Sequence, residues 1–108
     1  MNDEQREKAN TILQHYGATN QRHQLIEECA ELIQALNKYE RVLNSSVKMW
    51  RADTIRAENN IASEIADVLI MIEQVSISLF NDDKSFIDTM IDYKLNRQLK
   101  RIEEEKTT

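Results

Sequence analysis

Proline is missing from this sequence, and glycine and cysteine occur once each, at Gly17 and Cys29. Without proline and glycine to punctuate them, helices are free to run long. Aromatic residues make up only 6%. Together with an irregular scatter of β-branched residues, that scarcity excludes an all-β fold. One cysteine closes no internal disulfide, and Met1-Asn2-Asp3-Glu4 does not open a secretion signal, so the expected location is a reducing cytoplasm. The Asn44-Ser45-Ser46 glycosylation pattern is accordingly read as chance. No apolar run reaches membrane-spanning length. A basic excess is lacking too: 14 Lys and Arg stand against 19 Asp and Glu, a net charge of −5. That balance argues against a nucleic-acid polymer or an anionic membrane as partner. A phosphorylated small molecule stays open, because bound cations can invert the local charge.

What remains is a chain of 108 residues with 41% hydrophobic and 31% charged content. That is one domain, residues 1–108, with one modest core and a heavily solvated surface. A chain so small and charged gains stability by burying a face in an oligomer. Four helices are expected. The first covers residues 3–16 and stops at Gly17. The second is capped by Thr19 or Asn20 and carries Leu25, Cys29, Leu32, Leu36 and Leu43 on one face. Residues 47–56 read as a connection with room for some helix. A third helix covers 57–80, and Asn81-Asp82-Asp83 ends it and caps a fourth over 85–105. Short connections between four helices predict an all-α four-helix bundle.

The chemistry sits in two acidic runs, Glu27-Glu28-Cys29-Ala30-Glu31 and Glu64-Ile65-Ala66-Asp67. Acids at i and i+3 project about 60° apart on a helix, so each pair can reach one point. On the wheel Glu28 falls between Ala35 and Tyr39, and Glu31 lies beside Val42 at the edge of that sector. Glu27 falls on the polar side with Gln34 and Lys38. Glu64 falls between Met71 and Val75, with Asp67 at the border. The third helix is apolar most of the way round and is expected to be largely buried.

A buried carboxylate without a partner costs several kcal/mol or is neutralised. Neither helix offers lysine or arginine on the same stripe, so four facing carboxylates call for a cation. A di-iron bundle would place histidine three residues beyond a glutamate, where Gln34 and Asp67 stand instead. Zinc would want His or Cys at ligand spacing. An oxygen-only set suits a hard cation, Mg²⁺ or Mn²⁺, and phosphate chemistry rather than redox chemistry.

Glu-Glu-x-x-Glu on one helix and Glu-x-x-Asp on the next, within Leu25-Ile26-Glu27-Glu28-Cys29-Ala30-Glu31-Leu32 and Glu64-Ile65-Ala66-Asp67-Val68, resembles the signature of the all-α MazG-like nucleoside triphosphate pyrophosphohydrolases. The resemblance runs from about Tyr16 to Arg101. It implies Glu28, Glu31, Glu64 and Asp67 as metal ligands and a bundle completed as a homodimer or dimer of dimers. It also implies hydrolysis of a (d)NTP between the α- and β-phosphates to a monophosphate and pyrophosphate. Phosphoribosyl-ATP pyrophosphohydrolases share the motif, so that substrate is an alternative. A non-catalytic helical dimer of regulatory or antitoxin type is the reading outside enzymes.

Further candidates carry two readings each. Glu27, with Glu28 a catalytic candidate, would orient or deprotonate the attacking water, or is an exposed acid near a helix N-terminus. Lys94, Arg97 and Arg101 share a face of the last helix, with Lys100 nearby and Asn96 able to join. They form a clamp on the triphosphate, in keeping with the basic residues the family carries there, or a solvated basic face. Tyr16, Gln21 and Trp50 line a base pocket or simply pack. His15 and His23 have no nucleophile at a recognisable spacing. Cys29 reads as a small buried apolar residue.

Overall fold

The computed structural model describes residues 1–45 and 51–107. Four helices follow one another: α1 (Asp3–Tyr16), α2 (Ala18–Leu43), α3 (Arg51–Phe80) and α4 (Ser85–Thr107). Asn2 caps α1 reciprocally with Gln5: Asn2 Oδ1 accepts from the Gln5 amide at 2.8 Å, and Gln5 Oε1 accepts from the Asn2 amide at 2.9 Å. Gly17 alone joins α1 to α2. Its φ of +90° is a conformation that side-chain-bearing residues avoid. Its amide donates to Leu13 O at 2.8 Å, and its carbonyl accepts from Gln21 N at 3.1 Å. Gly17 therefore ends one helix and begins the next. Neither Thr19 nor Asn20 caps α2 as expected; Asn20 instead donates back to the Tyr16 carbonyl at 2.8 Å. The third helix also begins earlier than expected, at Arg51, because residues 51–56 contain no breaker and Asp53 in the first turn suits the helix dipole.

α2 and α3 form the main, antiparallel pair. Gln21 meets Gln74 at one end, Glu28 meets Glu64 and Asp67 in the middle, and Lys38 borders one cavity with Ala57 and Asn60 at the other. α1 packs against both. The buried apolar set is small: Ala9, Leu13, Ala35, Ala57 and Met71. Burying Leu13 and Met71 contributes about 2 kcal/mol each.

Polar groups complete this core. Gln21 Nε2 donates to Gln74 Oε1 at 2.7 Å, satisfying an amide that is 1% exposed. Glu73 is also buried, and Lys84 donates to its Oε2 while Arg6 Nε lies 3.6 Å from its Oε1. A buried carboxylate needs such partners. They fasten α1 and the turn after α3 to the same point.

α4 stands apart. Among the described residues no part of it comes within 8 Å, Cα to Cα, of the other helices, and none of its residues is buried. The expectation of a largely buried α3 fails as well: Ile65, Leu69, Ile72 and Leu79 lie exposed.

Candidate metal centre

The face of α2 that turns to α3 runs through Gln21, Glu28, Leu32, Ala35 and Tyr39, all buried or half-buried. Leu36 and Leu43 are exposed, and so is Cys29, which is not the buried residue expected. The apolar stripe read from the sequence is thus rotated from the true contact face. Glu28, not Cys29, sits near its middle.

Glu28, Glu64 and Asp67, all half-buried, each offer a carboxylate oxygen, and these three atoms lie within 4.8 Å of one another. Gln24 stands one turn before Glu28 and donates to its Oε1 at 2.9 Å. Glu28 Oε2 and Glu64 Oε2 are buried and accept no hydrogen bond. Glu31 is exposed at the edge of the cluster. The charge of Glu28 and hydrogen bonding with it raise the Glu31 carboxyl above its ordinary range, with partial desolvation and then Glu64 adding to the effect. Among the described residues no lysine or arginine pairs with any of these four acids. Like charges crowded in this way, with two buried oxygens lacking donors, fit a hard divalent cation with oxygen ligands. The donor set contains neither sulfur nor imidazole.

Two cavities flank the cluster along α2. Towards its N-terminus lies one of about 550 Å³ lined by Tyr16, Asn20, Gln21, His23, Gln24 and Glu27. Glu27 is exposed here, and Tyr16 and Gln21 of the base-pocket reading border the same space. Trp50, the third member of that reading, lies outside the described residues. On the other side a groove of about 680 Å³ is lined by Glu31 and Glu64 together with Asn37, Lys38, Arg41 and Asn60. Sequence reasoning missed these cations and amides. Their signal was present: Glu31, Gln34, Lys38 and Arg41 recur at helical spacing, one polar stripe that leads from the acids to the bases. Lys94, Asn96, Arg97 and Arg101 are exposed on α4, and the fold does not bring them to the carboxylates of their own chain. Arg97 lies over the Tyr93 ring, 5.6 Å from its centroid.

Residues 17–103 match the model of the MazG nucleotide pyrophosphohydrolase domain. The chain belongs to the MazG family. The matched span takes in both acidic motifs and the whole of α2 and α3, and leaves α1 outside it. Comparison with curated proteins and with solved structures finds no similar chain. Among the described residues no helix is long and apolar enough to cross a membrane. The family is one of nucleotide pyrophosphohydrolases and generally uses divalent metals.

Proposed function

We propose that this chain is a Mg²⁺- or Mn²⁺-dependent hydrolase that cleaves a nucleoside triphosphate between its α- and β-phosphates, giving the monophosphate and pyrophosphate. The observation that supports it most is the pair of buried, partnerless oxygens on Glu28 and Glu64, inside an all-oxygen cluster of an all-α MazG domain. Glu28, Glu31, Glu64 and Asp67 would hold the cation. A divalent ion held there supplies neutralisation of phosphate charge and a lowered pKa for bound water.

The chain's own residues divide the remaining work. Gln24 fixes the orientation of Glu28 through its 2.9 Å hydrogen bond. Glu27, exposed in the cavity beside Gln24, accepts the proton of the water that attacks the α-phosphorus. The oxygen linking the α- and β-phosphorus leaves with the pyrophosphate. Tyr16 and the amides of Asn20 and Gln24 border the space for the nucleoside. Lys38 and Arg41, in the groove beside Glu31 and Glu64, offset the charge of the departing pyrophosphate. Lys94, Arg97 and Arg101, with Asn96, reach the phosphates only where α4 is brought to them by something outside its own chain.

Product analysis tests this reading. Incubating the protein with Mg²⁺ and a panel of canonical and modified (d)NTPs should yield monophosphate and pyrophosphate in equal amounts, by phosphorus NMR. Nucleoside diphosphate and orthophosphate as products, or no turnover of any nucleotide including phosphoribosyl-ATP, would refute it.

A further inference from the structure

The groove beside Glu31 and Glu64 does not end the open space along the α2–α3 pair. Lys38 and Asn60 border that groove and also a further cavity of about 390 Å³, so the two spaces adjoin. Val42, Asp53, Arg56 and Ala57 complete the further cavity. By the 1.5 Å rise of a helix, Val42 lies about 16 Å beyond Glu31 along α2, and Asp53 about 16 Å beyond Glu64 along the antiparallel α3.

The walls change character on the way out. Next to the acids the groove offers Lys38, Arg41 and the carboxamides of Gln34, Asn37 and Asn60, whose side chains make no hydrogen bond or ion pair among the described residues. Cations and amide N–H groups suit phosphate oxygens. Further out that set does not continue. The side chains of Val42 and Ala57 present only carbon. Asp53 presents a carboxylate, which repels a phosphate and accepts from a hydroxyl. Arg56 Nη2 lies 3.7 Å from Asp53 Oδ1, too far for a hydrogen bond, so both side chains keep their bonding capacity for a ligand.

An apolar floor, a planar guanidinium, a carboxylate and an amide match a nucleoside better than another phosphate. Arginine stacks on a ring, and a carboxylate accepts from ribose hydroxyls. The volume agrees, since small-molecule sites span about 300–1,000 Å³. A space of that size already lies on the other side of the acids, beside Tyr16, Asn20, Gln24 and Glu27. Along α2 and α3 the order is therefore a nucleoside-sized cavity, the acids, the unpaired cations and a second nucleoside-sized cavity.

We infer that the substrates include nucleotides whose phosphate chain carries a second nucleoside, the dinucleoside polyphosphates, and that Arg56 and Asp53 hold that second nucleoside. The inference rests on the hydrolysis proposed above and names the leaving group of that same site. With a dinucleoside tetraphosphate, water attacks the α-phosphorus at the acids and gives its proton to Glu27. The bond from that phosphorus to the α–β bridging oxygen breaks, and the oxygen leaves with the other three phosphates and the second nucleoside. One nucleoside monophosphate and one nucleoside triphosphate result. Lys38 and Arg41 face the phosphates of the leaving group, Arg56 lies against its base, and Asp53 accepts from its ribose.

The test gives the full-length protein, with Mg²⁺, either the best nucleoside triphosphate of the panel or the symmetric dinucleoside tetraphosphate of the same nucleoside. Initial products of the second, separated by ion-exchange chromatography, should be monophosphate and triphosphate in equal amounts. Its kcat/KM should at least equal that of the triphosphate. Arg56→Ala and Asp53→Asn should each lower the ratio of the two kcat/KM values, tetraphosphate over triphosphate, about tenfold. The Arg56 side chain is 78% exposed, so the first variant keeps its fold even if the second does not. A tetraphosphate cleaved less efficiently than the triphosphate, cleaved to two diphosphates, or cleaved with a ratio that neither substitution moves overturns the inference and leaves the proposed hydrolysis standing. Cleavage of neither compound overturns both.

Discussion

Glu28 on α2 and Glu64 on α3 bring carboxylate oxygens within 4.8 Å of one another, and each keeps a buried Oε2 that no donor reaches. Folding has therefore concentrated negative charge without supplying protein cations to offset it. If a divalent ion occupies the cluster, it binds the folded chain alone and must raise its stability. At a free cation concentration ten times Kd the gain is about 1.4 kcal/mol, which lifts Tm by about 6 °C in a domain of this size. Glu64→Gln should remove the rise. A thermal melt indifferent to millimolar Mn²⁺ and Mg²⁺ would count against the site and towards a non-catalytic module.

Lys38 and Arg41 line the groove next to Glu31 and Glu64, but among the described residues neither forms an ion pair with any of the four acids. Replacing both with alanine should leave the cation-dependent rise in Tm intact and weaken handling of the triphosphate. A loss of about 10–100-fold in kcat/KM is expected for removing charged hydrogen bonds to phosphate. Steady-state kinetics on the double variant checks this. An unchanged kcat/KM would place the phosphates elsewhere.

The amides of Gln21 and Gln24 do different work although both border one cavity. Gln21 Nε2 satisfies the fully buried Gln74, so Gln21→Ala leaves that group stranded and should cost about 2 kcal/mol. Gln24 holds Glu28, and Gln24→Ala should barely alter Tm yet weaken cation affinity about tenfold or more. Melts and calorimetric titration of Mn²⁺ on both variants separate the two roles. Equal loss of stability in both would contradict the assignment.

These two residues also mark how much the sequence revealed. Helix number and the nearness of Glu28, Glu64 and Asp67 followed from periodicity, because 3.6-residue spacing fixes which side chains share a face. The contact face of α2 did not follow. Leucine positions pointed to Cys29 and Leu36, whereas the helix turns Gln21, Glu28 and Ala35 inward. Polar pairing across α2 and α3 overrode hydrophobicity, and a pairing such as Gln21 with Gln74 leaves no trace in a single helix's pattern. The exposure of α3 was equally hidden. An apolar stripe looks the same whether its own chain or a second one covers it.

The fourth helix carries a pH-dependent contact at its start. The hydrogen bonds to Ser85, from its side chain and its amide, hold the Asp83 carboxyl below the usual value of 3.8. A folded-state pKa below the unfolded one means that the contribution is fully present above about pH 4. It disappears as pH falls through the lowered folded value. Asp83→Asn should accordingly lower helicity slightly at neutral pH, and the difference from wild type should vanish near pH 2. Circular dichroism from pH 2 to 7 on both proteins reads this directly. A difference that persists at pH 2 would assign the effect to packing instead.

The most direct test of the whole account is pyrophosphate release by wild type and Glu64→Gln, each with and without Mg²⁺, on the best nucleotide of the panel. The account predicts release only from wild type with the cation, and a loss of at least about a hundredfold in the variant, corresponding to 2.7 kcal/mol of transition-state stabilisation or more. Release that needs no cation, or that survives Glu64→Gln unchanged, would contradict it.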